Sequence, residues 1–529
     1  KIKSEYIAYL GKDKKEAERK SKEIIAKKTD NKDDEITKMK HKEITIEDMA
    51  NFCKRKGFVY SSGEIYGGLA GFWDFGHFGV ELKNNIKKEW WIYHVQKRED
   101  IVGIDGSIIT NPKTWEASGH VSSFMDIAVV CKKCGYKTKL DKHELKTAKC
   151  DKCNSDYENK GEFNPMFVTQ VGPIKEDSIK SYLRPETAQL IFTNFKLVHE
   201  NARMKLPFGI AQVGKSFRNE ISPREFLFRS REFEQMEIEY FIIAGMKCPY
   251  IEEIKETNIL IFDEKMQKQN KESQLLDLYE AWKKKIIKTD WHAYWIAKEY
   301  EWFISLGANP SNFRVRQHSS DEKSHYSIDT WDLEYKFPMG WRELQGFANR
   351  GDFDLKQHQE HAKTSMEIED NGKKVLPHVI CEPSLGVERS FLVFLFDGYF
   401  YDEKRKNVVL KLNPKIAPIK AAVFPIIKKQ EYEDMAKKIV DDLRKEFNVV
   451  YDESGSIGRR YSRNDEVGTP YCITIDQLSL KNKDVTIRDR DSTEQIRVKI
   501  KDLKSILKKL IDEEIEFKKT GKIVKTRVK

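Results

Sequence analysis

Lys215-Ser216-Phe217-Arg218-Asn219-Glu220-Ile221-Ser222-Pro223-Arg224-Glu225-Phe226-Leu227-Phe228-Arg229-Ser230-Arg231-Glu232-Phe233 is the stretch on which the fold turns. It reads as a strand, a proline-containing loop dense in arginine, and a second strand. Arginines at 218, 224, 229 and 231 present forked donors that match phosphate oxygens two at a time, so together they suit a polyphosphate. Phe233 is placed to stack on a base. The second strand continues through Tyr240. Its period-2 alternation puts Phe233, Gln235 and Glu237 on one face and Met236, Ile238 and Tyr240 on the other. By itself the stretch reads equally well as a surface hairpin with a charged loop.

A second cluster lies far downstream. Glu382-Pro383-Ser384-Leu385-Gly386-Val387-Glu388-Arg389 opens into the apolar run Leu392–Phe396. A glycine turn feeding a helix would place Arg389 near a helix N-terminus, where backbone N–H groups favour an anion. A third signal is Cys131-x2-Cys134-x15-Cys150-x2-Cys153. This is the spacing of a four-thiolate zinc site, with no position left for an activated water. The zinc is therefore expected to be structural. The other four cysteines are scattered singly, which suits a reducing cytoplasm.

Working outward, the 529 residues are long enough for about three or four domains. Apolar residues make up 39% and charged residues 34%, the balance of a globular chain with a highly charged surface. No apolar run approaches the ~20 residues of a membrane span, and no signal-peptide apolar region opens the chain. The first residue is Lys1 rather than Met, so a start upstream is expected. The net charge of +10 permits a nucleic-acid partner without requiring one. Residues 1–43 hold 14 Lys+Arg and 10 Asp+Glu and read as a charged helical or loose extension. Leu82, Ile86 and Trp90 recur at helical spacing. Residues 180–243 read as strands, and about 250–305 as an inserted helical subdomain. After Lys411–Lys415, strand-helix-strand alternation predicts a small α/β domain with a mostly parallel sheet.

Taken together, the first two clusters follow the pattern of class II aminoacyl-tRNA synthetases. The chain resembles the homodimeric glycyl-tRNA synthetase family over about residues 44–515. The motifs, in that family's order, are Tyr66–Phe72, Trp115–His120, Leu183–Gln189, Arg218–Ile221, Arg231–Glu239, Glu382–Ser384 and Gly458–Tyr461. The resemblance implies an α+β fold: a six- or seven-stranded antiparallel sheet flanked by helices, with a zinc-binding insertion at 131–153 and the helical insertion. This catalytic domain would span 44–411. An α/β anticodon-binding domain would occupy 416–515, and a basic tail 516–529.

It also implies an activity: glycine and ATP form glycyl-adenylate, and the glycyl group passes to the 3′-terminal adenosine of tRNA(Gly). Arg218 and Arg389 would be catalytic. ATP, with Mg²⁺, would meet Arg218, Asn219, Glu220, Arg229, Phe233, Glu343, Leu344 and Arg389, with Glu343 on the metal. Glycine would meet Glu186, Glu237, Glu382 and Ser384. Its ammonium has three donors for clustered carboxylates to satisfy, and only a steric clash can exclude alanine. Arg460, Arg463, Asp465 and Glu466, read as a loop, would contact tRNA together with Arg488 and Arg490 after the strand Val485–Ile487. Paired Arg and Asp suit the edges of unstacked bases; equally, they suit a salt-bridged surface. The expected assembly is a cytoplasmic homodimer. Two departures from the family stand out: His77 after Gly76, where relatives usually carry proline, and Gln345, where many bacterial relatives carry glutamate. The rival reading is a non-catalytic RNA-binding relative. Such relatives lose the ATP-binding arginines and the amino-acid pocket, whereas Arg218, Glu220, Arg229, Phe233 and Arg389 all remain here.

Overall fold

A computed structural model describes residues 44–140, 144–174, 176–319, 322 and 329–524. The extension at 1–43 and the last five residues of the basic tail lie outside them.

Among the described residues, nine strands form the largest sheet: β1 (Ile101–Ile104), β2 (Phe208–Phe217), β3 (Glu232–Ile242), β4 (Asn258–Phe262), β5 (Gln274–Asp277), β6 (Phe313–Gln317), β7 (Asp329–Phe337), β8 (Gly340–Asn349) and β9 (His378–Gly386). Their order is β5-β4-β6-β7-β8-β9-β3-β2-β1. The six strands from β6 to β2 are antiparallel throughout. Parallel strands join at the two sides, β1 on β2 and β4 on β6.

The sheet is wider than the six or seven strands expected because the 250–305 segment contributes β4 and β5. That segment is not a separate helical subdomain. Its helix Asp290–Ser305 buries Trp291, Trp295, Trp302 and Phe303 in the core it shares with the sheet. Aromatic residues on nearly every side of a helix leave it no solvent face.

The helices that position the site are α1 (Ile46–Lys56), α2 (His77–Trp91), α3 (Ala188–Ala202), α4 (Asp290–Ser305), α5 (Phe353–Ala362) and α6 (Val387–Gly398). In α2, Leu82, Ile86 and Trp90 are fully buried, one apolar stripe at i, i+4 and i+8. Helix α3 interrupts the 180–243 stretch expected to be all strand. Ala188, Ile191, Phe192 and Phe195 share its buried face, a helical spacing masked by flanking β-type residues.

Strand β3 carries the key asymmetry. Met236, Ile238 and Tyr240 enter the apolar core, as alternation predicts. The opposite face is also buried, yet it is polar: Gln235, Glu237 and Glu239 stand in a row there. A buried polar face on a central strand is costly unless it is paired or used.

The second unit has its own core. Its strands are β10 (Ala421–Pro425), β11 (Val449–Tyr451), β12 (Tyr471–Ile475), β13 (Asp484–Asp489), β14 (Gln495–Lys499) and β15 (Lys522–Ile523), ordered β11-β10-β12-β13-β14-β15. Helices α7 (Gln430–Leu443), α8 (Ile457–Glu466) and α9 (Ile500–Ile511) accompany them. The sheet is mixed rather than mostly parallel: β11, β10 and β12 run parallel, and β13 to β15 return as antiparallel neighbours. The loop expected at 460–466 is helix α8, started by the Ser456 side chain accepting from the Arg459 N–H. No helix among the described residues is long and apolar enough to cross a membrane.

Candidate active site

The polar face of the large sheet floors a cavity of about 510 Å³. Arg218, Glu220, Arg229, Phe233, Glu343, Leu344, Glu382, Ser384 and Arg389 all line it. Register brings these distant segments together. On the sheet, Glu237 faces Ser384, and Ser384 faces Gly346.

Arg218 follows the last residue of β2. Its Nε donates to the Pro185 carbonyl (3.0 Å). Its guanidinium lies 5.7 Å from the Phe124 ring centre and 5.5 Å from that of Phe233, an aromatic bracket that fixes a planar cation. Arg229 pairs with Glu220 (3.1 Å). Arg389 is the third residue of α6. It packs over Phe228, donates to the Glu343 carbonyl (2.9 Å) and pairs with the Glu343 carboxylate (3.3 Å). Strand β9 runs straight into α6, so the glycine turn expected there is the end of a strand. Asn219 stands beside the cavity, its backbone N–H held by the Pro165 carbonyl (2.7 Å).

The Arg389 charge is the main cause holding Glu343 below its ordinary value, against burial. Asp332, in the same wall, is pushed up to about 6 by burial, with His318 opposing and Glu343 adding to the rise. Two oxygen-donor side chains repelling each other across a cavity wall are a fitting donor set for Mg²⁺.

The other end of the polar face is deeper. Gln189 of α3 donates to Glu186 (3.0 Å) and Asp354 (3.1 Å). Arg350 donates to both oxygens of Glu382 (3.0 Å each) and grips Asp354 (2.7 and 2.8 Å). Thr187 donates to Glu237. His120 stands 3.4 Å from Glu186 and shares a hydrogen bond with Ser118 (2.8 Å). Burial pushes Glu186 up, but His120 and Arg350 outweigh it and hold the carboxyl well below the usual range. Glu237 is pushed up by burial and by the Glu186 charge. Glu382 is pushed up to about 8, chiefly by burial, with Arg350 pulling the other way. Sequence reasoning missed Arg350, Asp354, His120 and Glu239. His120 closes the quoted motif Trp115–His120 and was traceable that far; Arg350 has no local signature.

The four cysteines converge. Cys131 and Cys153 sulfurs are 3.3 Å apart and Cys134 and Cys150 sulfurs 3.6 Å, all four within 4.8 Å of one another. A tetrahedral ion with Zn–S bonds of about 2.3 Å fits such a set. They close a three-stranded sheet of Asp126–Cys131, Lys137–Leu140 and Tyr157–Phe163.

The expected tRNA-contacting residues are placed differently. Arg460 is buried, donating to the carbonyls of Pro425 (2.6 Å) and Gly455 (3.0 Å). Arg488 grips Asp465 through two hydrogen bonds (2.8 and 3.0 Å). Arg490 donates to the Gly468 and Leu412 carbonyls (2.8 Å each). Glu466 pairs with Lys56 of α1 (2.5 Å), and Arg405 reaches Asp465 (3.2 Å). These residues bind the second unit to itself and to the first, and their donors are spent there. Of the six, Arg463 alone keeps an exposed face, resting on Asp452.

A family model described as "Anticodon binding domain" matches residues 420–510. The chain is 44% identical to the glycine–tRNA ligase of Geobacillus thermodenitrificans over 499 residues, covering 88% of this chain and 98% of that one. It is 42% identical to the enzyme of that name from Borrelia hermsii, over 88% and 97% of the two chains. For Thermobifida fusca the values are 40%, 89% and 98%. Among solved structures, a prolyl-tRNA synthetase from Cryptosporidium parvum superposes with a TM-score of 0.54 at 16% identity, over 90% of this chain and 77% of that one. That likeness speaks for the fold.

Proposed function

The chain belongs to the glycine–tRNA ligase family, and from that premise we propose how its cavity joins glycine to ATP and then to tRNA. The observation that carries the reading is that one sheet face joins an arginine-lined cavity to a buried carboxylate cluster, with Glu382 of that cluster and Ser384 also lining the cavity.

The nucleophile is the carboxylate of glycine itself, so the protein needs no base of its own. Its task is placement and charge stabilisation during in-line attack at the α-phosphorus. Arg218, clamped between Phe124 and Phe233, meets the α-phosphate and the attacking carboxylate. Phe233 stacks on adenine. Arg229, with Glu220 beside it, reaches the adenine side or the outer phosphates, and Arg389 the γ-phosphate. For Arg389 this means exchanging Glu343 for phosphate oxygens. Glu343, with Asp332 nearby, would hold Mg²⁺, which when bound neutralises phosphate charge. Asn219 sets the course of the chain after Arg218.

Glu186, Glu237, Glu382 and Ser384 receive the ammonium of glycine. Burial makes three carboxylates costly when the pocket is empty, and an ammonium offsets that cost. The ribbon at 131–153 holds structural Zn²⁺. The domains run 44–411 and 416–515, and within the second Arg463 is the residue we assign to tRNA. A second copy of the chain covers the exposed Ile65, Tyr66 and Leu69 (88%, 89% and 57% exposed), giving the homodimer. The setting is cytoplasmic. The test is attachment of labelled glycine to the 3′ adenosine of a tRNA(Gly) transcript. Charging that disappears after periodate oxidation of that terminus is expected; no charging of intact tRNA would overturn the reading.

A further inference from the structure

Glu239 is the carboxyl that the scheme above leaves unused. It lies on β3, two residues beyond Glu237 on the same buried face, with no exposed surface. Neither of its oxygens has a hydrogen-bond partner among the described residues. One carboxylate oxygen from each of Glu237, Glu239 and Glu382 lies within 4.8 Å of the others. The fixed cation nearby is Arg350, and its donors are shared between Asp354 and Glu382. An ionised Glu239 would therefore be a buried charge among like charges, without a counter-ion of its own, the arrangement that favours protonation most strongly.

We infer that Glu239 is a positioning residue of the glycine pocket: it keeps a proton, offers that O–H to the Glu382 carboxylate, and so holds Glu382 toward the ammonium of glycine. A protonated carboxyl is a donor as well as an acceptor. Carboxyls of neighbouring environment but opposite protonation state are a known way of dividing roles. Arg350 holds Glu382 from one side, and the Glu239 hydroxyl holds it from the other. The two together fix the carboxylate that the glycine reading places on the ammonium, and the inference rests on that reading. Burial and the charges of Glu382 and Glu237 raise Glu239 well above the ordinary carboxylate range, against the pull of Arg350. This agrees with the geometry.

The experiment measures glycine-dependent ATP–pyrophosphate exchange in the full chain and in Glu239→Gln and Glu239→Ala. Glutamine keeps the size and the neutral donor; alanine removes both. The expected result is a glycine KM at least tenfold higher in Glu239→Ala and within threefold of the parent in Glu239→Gln, with the KM for ATP unchanged in both. A tenfold rise in Glu239→Gln overturns the inference, because it means that the charge of Glu239 was required. An unchanged glycine KM in Glu239→Ala also overturns it. Should Glu239→Ala not fold, Glu239→Gln alone still decides between proton and charge. Absence of exchange in the parent chain contradicts the glycine reading itself and is seen before any variant is made.

Discussion

The two units of this protein carry the same kinds of side chain to opposite ends. In the first, arginines and carboxylates line a cavity and keep faces directed into it: Arg218 bracketed by rings, Arg389 on Glu343. In the second, Arg460, Arg488 and Arg490 are buried and their donors are spent on carbonyls and on Asp465 and Asp491. Sequence composition does not separate these cases. Accounting for each donor does.

That contrast can be broken from either side. The largest effect is expected at the cavity. Arg218→Ala should lower glycine-dependent exchange by about a thousandfold or more while leaving the melting temperature close to the parent's. Exchange near the parent rate would remove Arg218 from the chemistry. In the second unit the effect should fall on stability instead. Arg488→Ala leaves the buried Asp465 with Arg405 as its remaining cation and should cost about 2–3 kcal/mol of folding stability in denaturant titration. A variant as stable as the parent but defective in charging would return Arg488 to tRNA recognition.

pH separates the regions further. In the empty pocket the Glu382 carboxyl is raised to about 8. Its contribution to stability is therefore complete below the ordinary carboxylate range and lost as pH rises through about 8. The melting temperature without glycine should fall progressively from about pH 5 to about pH 8 and level off above that, and saturating glycine should reduce the fall. Conversely the glycine KM should improve from pH 6 to 8, by up to roughly tenfold per unit for one released proton. A flat profile of both quantities would contradict the pocket's proton inventory. The smallest effect belongs to Arg463→Ala, on the exposed face of α8. A rise of about two- to fivefold in the KM for tRNA, growing weaker at high salt, with unchanged stability, is the expected outcome. No change in that KM would leave the second unit without an assigned contact.

Much of the first unit was legible because its elements announce themselves locally. The Arg loop between two strands, the stripe Leu82-Ile86-Trp90 and the paired CxxC turns each have a short-range signature. What was not legible depends on partners distant in sequence. Arg350 acquires its place only when β8 and β9 pair and α5 presents Asp354. Helix α8 was hidden because Arg, Asn, Asp and Glu at 459–466 look like loop; three of those side chains, Arg460, Asn464 and Asp465, are buried in the folded unit. The width of the large sheet was underestimated for a similar reason: β4 and β5 are short strands at one side of the sheet, in a Lys- and Glu-rich segment. Gln345 illustrates the converse. It departs from relatives that carry glutamate there, and it is fully buried. Its register opposite Leu385 directs it to the apolar face, away from the cavity lined by Glu343 and Gly346.

The central claim is that one sheet face activates glycine and rejects larger amino acids by space alone. ATP–pyrophosphate exchange without tRNA, run side by side with glycine, alanine and serine, tests it most directly. The account predicts exchange with glycine and none above background with the other two. Comparable exchange with alanine would contradict the steric basis of the pocket, and no exchange with any of the three in folded protein would contradict the activation chemistry itself.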